Sequence, residues 1–292
     1  MENLLAVARA RLDDGRADIA EALCAELAAD RPEDAAVLAT WGRALLCREG
    51  PAPRAVEALR RAHDLAPETP GVAADLGIAW LRQGDAAAAA PLFDGPAGET
   101  WRLAVEAVAG GAPPWDTMTS DALLLAARGL IVADRAAAAR MALDVLAARG
   151  IDGPETMASR ARVFAASGEL AVALDASCRM LRGVWNDVPF RRRMYGTEAE
   201  MLARALSGAL PDDPARLTLL ALAGLDSAAG FAEGLAAVNR VLGRGSDRAD
   251  AYLAGGLACL KQGDFAEVAR LLAEARRLDP ANERPAALAA LA

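Results

Sequence analysis

The chain has 292 residues, 54% of them hydrophobic but only 4% aromatic, and a formal net charge of -8. The apolar content excludes wholesale disorder, and abundant alanine with few aromatic side chains favours closely packed helices over sheets, so the expected class is all-α. The acidic balance excludes a general affinity for nucleic acid or an anionic membrane, both of which need a positive field. Nearly all positive charge is arginine, Lys261 being the only lysine, and this Ala/Arg/Gly/Pro usage points to a GC-rich bacterial source.

In chain order the sequence reads as about seven helix-turn-helix units of roughly 34 residues. Turns are expected at Asp14-Gly15-Arg16, Glu49-Gly50-Pro51, Arg82-Gln83-Gly84-Asp85, Ala133-Asp134-Arg135, Ser167-Gly168-Glu169, Ala229-Gly230 and Lys261-Gln262-Gly263-Asp264. Small residues recur at one position of each first helix, Ala8, Gly42, Gly77, Ala127, Ala161 and Gly256, with Leu222 the exception. In the second helices Ala20, Ala55, Ala89, Ala139, Ala173 and Gly234 coincide, with Val268 the exception. Small side chains at a crossing let two helices approach closely. Leu59, Phe93, Leu143, Val238 and Leu272 fill an adjoining apolar column, and Pro32, Pro67 and Pro280 close their units.

The period is interrupted twice. Gly95-Pro96 cuts the third unit short, a short helix is expected over 99–109, and Gly110-Gly111-Ala112-Pro113-Pro114 ends it. This marks a joint between a three-unit and a four-unit block. The second interruption carries Phe190, Arg191, Arg192, Arg193 and Tyr195, then a helical stretch over about 197–208, then Pro211-Asp212-Asp213-Pro214. The expected segments are 1–103 (units one to three), 104–119 (extra helix and linker), 120–187 (units four and five), 188–214 (aromatic and arginine insertion), 215–282 (units six and seven) and 283–292 (a C-terminal capping segment).

These turn, small-residue and proline columns resemble the tetratricopeptide repeat family over about 240 residues. The resemblance implies an all-α right-handed superhelix of helical hairpins whose inner groove, lined by the first helices, binds a protein or peptide rather than performing a reaction. On that mapping Arg9, Arg43, Arg128 and Arg162 fall in one groove column, with Arg82 one turn further along. Leu46, Ile78 and Leu124 supply apolar contacts between them, together with Leu5, Leu12, Leu81 and Ile131. Guanidinium groups grip carboxylates in forked geometry, so the expected ligand is acidic and amphipathic. The family's Lys/Asn clamp for chaperone tails is not matched. Trp185, Phe190, Arg191, Arg192, Arg193 and Tyr195 form a second candidate contact, because aromatics and arginine are frequent binding hot spots. Leu219, Ala223, Leu253, Leu257 and Leu260 give the last units an apolar groove, for a partner helix or the chain's own tail.

Signs of chemistry are sparse. His63, the sole histidine, has no nucleophile motif beside it; there is no phosphate loop; and Gly243-Arg244-Gly245 lies between helices rather than after a strand. Asp13/Asp14 and Asp212/Asp213 sit at turns where helix capping accounts for them. Cys24, Cys47, Cys178 and Cys259 form no Cys-x-x-Cys pair, so no metal, cofactor or disulfide framework is expected. With no signal-like N-terminus and no stretch of spanning length, the expected location is the cytoplasm. The expected function is a non-enzymatic adaptor. The alternative is a self-associating scaffold stacking through the apolar start of the first helix, and a remoter one is an accessory domain of a transferase or methylase system.

Overall fold

The computed structural model describes residues 2–48, 52–69, 71–93, 98–185, 187, 189–225 and 230–290. Those residues form helices and turns with no strand. They pack as two compact units, Met1–Gly168 and Glu169–Ala292.

In the first unit α1 (Glu2–Asp13) pairs with α2 (Ala17–Asp30), and α3 (Ala35–Leu46) with α4 (Pro53–Leu65). Next, α5 (Val72–Arg82) pairs with a short α6 (Ala86–Ala89) that tightens into a 3-10 turn over Ala90–Phe93. The extra helix α7 (Glu99–Ala109) follows, then the pair α8 (Ser120–Val132) and α9 (Ala136–Ala148), then α10 (Pro154–Ala166). The first helices α1, α3, α5, α8 and α10 touch in succession and make one layer. Thus α5 and α8 meet directly even though α7 intervenes in the chain. Gly95-Pro96 and Glu49-Gly50-Pro51 lie outside the described residues.

The second unit begins with α11 (Leu170–Gly183) and α12 (Pro189–Ala205). Two hairpins follow, α13 (Pro214–Gly224) with α14 (Phe231–Gly243) and α15 (Ala249–Gln262) with α16 (Phe265–Leu278), and α17 (Arg284–Ala289) packs on α16. The helix expected over about 197–208 therefore starts earlier, at Pro189, and ends at Ala205. Phe190 and Tyr195, respectively 8% and 1% exposed, supply the apolar anchor that extends it backward.

The small-residue columns are the places where helices cross. A Cβ built on Gly77 would stand 2.5 Å from the Phe93 ring, and one on Gly256 would stand 2.6 Å from Leu272 Cδ2. Ala8, Ala20, Ala55, Ala89, Ala127, Ala139 and Ala173 are all fully buried. Glycines at four of the expected turns, Gly15, Gly84, Gly168 and Gly263, have left-handed backbones with φ of 72 to 78°, the conformation that ends a helix without a Cβ clash. The turn before α9 reaches the same region through Asp134, φ 56°. Side-chain caps close other helix starts: Asp34 accepts from the Ala36 and Val37 amides, and Asp213 from Arg216.

Candidate functional site

Of the predicted arginine column, Arg9 and Arg43 come together. They reach from α1 and α3 into a cleft of about 450 Å³ whose other walls include Leu12, Thr40, Thr69 and Val72. Helix α3 places Thr40 one turn before Arg43, and its hydroxyl donates to the Ala36 carbonyl at 2.8 Å. Its oxygen is then left to accept from Arg9 Nε at 3.4 Å. Arg43 donates to Asp75 of α5, and 46% of its side chain stays exposed. Gly71 holds the entry to α5 at φ +83°, and a Cβ there would come within 2.6 Å of Arg43 Nη2. A residue with a side chain at 71 would thus meet both backbone strain and the guanidinium.

The remaining members of the column do not line this cleft. Arg128 on α8 and Arg162 on α10 are half-buried and engaged within the chain. Leu46, Ile78 and Leu124 are half-buried against the core. Arg82 is only 3% exposed and is a structural clasp. It donates to the Leu46 carbonyl at 2.5 Å and to the Arg48 carbonyl, closing the end of α3, where helix carbonyls lack intrahelical partners. Lys261, at the matching position of the last hairpin, donates to the Leu225 carbonyl at the end of α13. The shared Arg/Lys-Gln-Gly-Asp turn was the signal for this role.

The insertion is not a projecting contact loop. Phe190 and Tyr195 are core residues of the second unit. Arg191 pairs with Asp187 at 2.7 Å and lies over the Tyr195 ring, Arg192 is half-buried, and Arg193 is exposed. The predicted apolar groove of the last hairpins is likewise closed. Leu219 is 0%, Ala223 4%, Leu253 1% and Leu257 9% exposed, because α11 and α12 pack on α13, which packs on α15; Leu260 alone of the set is half-buried.

The second unit holds an arrangement with no sequence signal. Arg182 on α11 donates through Nε and Nη2 to both oxygens of Asp250 on α15, at 2.8 and 2.6 Å, and through Nη1 to Asp279 at 3.3 Å. Asp250 is 1% exposed, and its hydrogen bond raises the Arg182 pKa above the usual value. Three residues after Arg182, in the turn that follows α11, Trp185 receives Arg284 of α17 over its ring, 5.3 Å from the centroid. Burial, with the nearby Asp250 charge adding to it, pushes the Cys178 thiol up to about 12, and burial pushes Cys24 up to about 11. Neither thiol is primed as a nucleophile. His63 is half-buried on α4, and among the described residues no group of three His, Cys, Asp or Glu side chains is placed to hold a metal ion. Among them, too, no helix is long and apolar enough to cross a membrane.

No protein-family model matches the chain, and no curated protein matches it. Among solved structures it is similar to a tetratricopeptide repeat protein from Parabacteroides merdae, with 15% identity over 99% of this chain and 97% of the other and a TM-score of 0.32. It is also similar to the P58(IPK) TPR domain, with 14% identity, 99% and 96% coverage and a TM-score of 0.30. For the structure of Naa15/Naa10 bound to HypK-THB the identity is 14%, the coverage 99% and 65%, and the TM-score 0.26. TPR proteins are among the structural neighbours, while the all-helical character of the described residues and their arrangement in helix pairs rest on the chain's own packing.

Proposed function

We propose that the protein is a non-enzymatic interaction module that takes an acidic segment of a protein partner along the first helices of its first unit. The cleft between α1, α3 and α5 supports this reading, because two successive hairpins each present an arginine there beside hydroxyl and apolar walls, against one lining carboxylate, Asp13. Arg43 already holds a carboxylate, that of Asp75, and an incoming acidic side chain exchanges for it. A solvent-facing pair of this kind is worth only ~0 to 1 kcal/mol, so the exchange costs little. Reduced thiols and the arginine-rich, nearly lysine-free composition support a cytoplasmic, bacterial setting.

The test is selection from a displayed random-peptide library, followed by titration of the selected peptides at low and moderate salt. Acidic peptides with interspersed apolar residues should be enriched. Arg9→Glu and Arg43→Glu should weaken them together with their salt dependence, while Arg193→Glu should not. Enrichment of basic peptides, or unchanged affinity in both cleft variants, would sink the reading. Leu4, 44% exposed on α1, favours self-association as the second reading, which predicts a mass rising with concentration in light scattering.

A further inference from the structure

The second unit contains a small recess walled by Leu181, Arg182, Trp185, Arg192, Leu222 and Arg284. Two of its guanidinium groups are in different states. Arg182 spends its donors on Asp250 and Asp279. Arg284 stacks on Trp185, and among the described residues its guanidinium has neither an ion pair nor a hydrogen bond. A guanidinium carries five N–H donors, and half-burying them without an acceptor is unfavourable. Burial first, and then the like charge of Arg182, push Arg284 down to about 10, with Asp250 acting the other way. At neutral pH the group stays charged, so the fold carries a cation that no described residue pairs with directly.

We propose that this recess is a carboxylate-binding site in which Arg284 receives the anion and the Trp185 ring fixes the Arg284 fork. Size and charge together limit what the recess holds. Its volume is about 20 Å³, room for about one water-sized group, so one oxygen of the ligand enters, and the single charge of a carboxylate matches the single guanidinium better than the higher charge of phosphate does. Leu181 and Leu222 line it as well, so the carbon attached to the carboxylate meets apolar walls. Arg182 keeps its donors on Asp250 and Asp279 and does not hold the anion. The site belongs to the second unit alone and does not depend on the cleft of α1, α3 and α5.

The experiment follows the indole N–H resonance of Trp185 in the full-length ¹⁵N-labelled protein, identified by its loss in Trp185→Phe. Sodium formate is titrated against sodium chloride at equal ionic strength, then inorganic phosphate, then acetyl-Leu-Glu-Leu-amide against acetyl-Leu-Gln-Leu-amide. Formate should give a saturable shift that chloride and phosphate do not. Arg284→Gln, shown folded by its circular dichroism melt, should weaken it at least about tenfold, the loss expected when a charge-assisted hydrogen bond is removed. Tighter binding of the glutamate peptide than of formate assigns the carboxylate to a partner side chain, and the reverse order assigns it to a free small carboxylate. Equal responses to formate and chloride, saturation by phosphate alone, or an unchanged response in Arg284→Gln would overturn the proposal. Arg9→Glu leaves the response intact, so its outcome separates this site from the cleft.

Discussion

Arg43–Asp75 in the first unit and Arg182–Asp250 in the second are the same chemical pair in opposite settings. In the first, Arg43 is 46% and Asp75 20% exposed, so water and salt compete for both charges, and the pair opens at little cost. In the second, Asp250 is 1% exposed and held through both oxygens, so losing the arginine strands a charge in a low-dielectric interior. A repeat protein can thus use one residue type as a replaceable contact in one place and as a fixed joint in another. Burial of the carboxylate decides which.

The widest gap should appear in urea unfolding. Arg182→Ala should cost ~3 to 5 kcal/mol because it leaves Asp250 uncompensated, whereas Arg43→Ala should cost ~0 to 1 kcal/mol. If the two variants unfold at the same denaturant concentration, the contrast between the pairs is wrong. A double change of Arg182 and Asp250 to apolar residues of similar volume should recover much of the loss, since the penalty lies in the orphaned charge.

Next in size are the helix crossings. Gly77→Leu drives a side chain into Phe93, and Gly129→Ala places a methyl against the Leu81 carbonyl oxygen, which is backbone and cannot rotate away. Each should lower stability by ~1 to 3 kcal/mol or more, as should Ala161→Leu at a 4% exposed site. Thermal melts in which these are milder than Arg9→Ala would place the crossings elsewhere.

The clasps come third. Arg82→Ala strips the last carbonyls of α3 of their donor and should cost ~1 to 3 kcal/mol. Arg9→Ala, in the exposed part of the same predicted column, should stay within ~0.5 kcal/mol. Similar losses in the two would return Arg82 to the group of surface arginines.

Arg82 also shows how far the sequence could be read. Period, turn glycines and crossing residues depend on local backbone geometry and on contacts within one hairpin, and these leave columns in the chain: Gly77 meets Phe93 as their shared register implies. The direction of a long arginine side chain depends on where the neighbouring hairpin ends, so placing Arg82 by its column alone put it in the groove. The insertion shows the same limit. Its aromatics and arginines resemble a contact surface in composition, and only the packing of α12 on α13 buries Phe190 and Tyr195. Arg182, Asp250, Asp279 and Arg284 come from α11, α15, the segment after α16 and α17, so no spacing in the sequence links them.

The smallest expected effect tests the turns themselves. Four turn positions use glycine at φ of 72 to 78°, but the turn between α8 and α9 uses Asp134 at φ 56°. A side chain in the left-handed region crowds the following carbonyl, and aspartate tolerates this better than most residues. Asp134 is exposed, so removing its side chain gives up no packing. Asp134→Gly removes the crowding but also gives the unfolded chain more freedom, and the two effects oppose each other. The crowding term should win by a small margin, raising stability by up to ~1 kcal/mol, while Gly263→Asp at the matching turn should lower it by a similar amount. If both changes move the melting temperature in the same direction, the two turns are not equivalent in backbone geometry, and the repeat register that aligns α8/α9 with α15/α16 fails at that point.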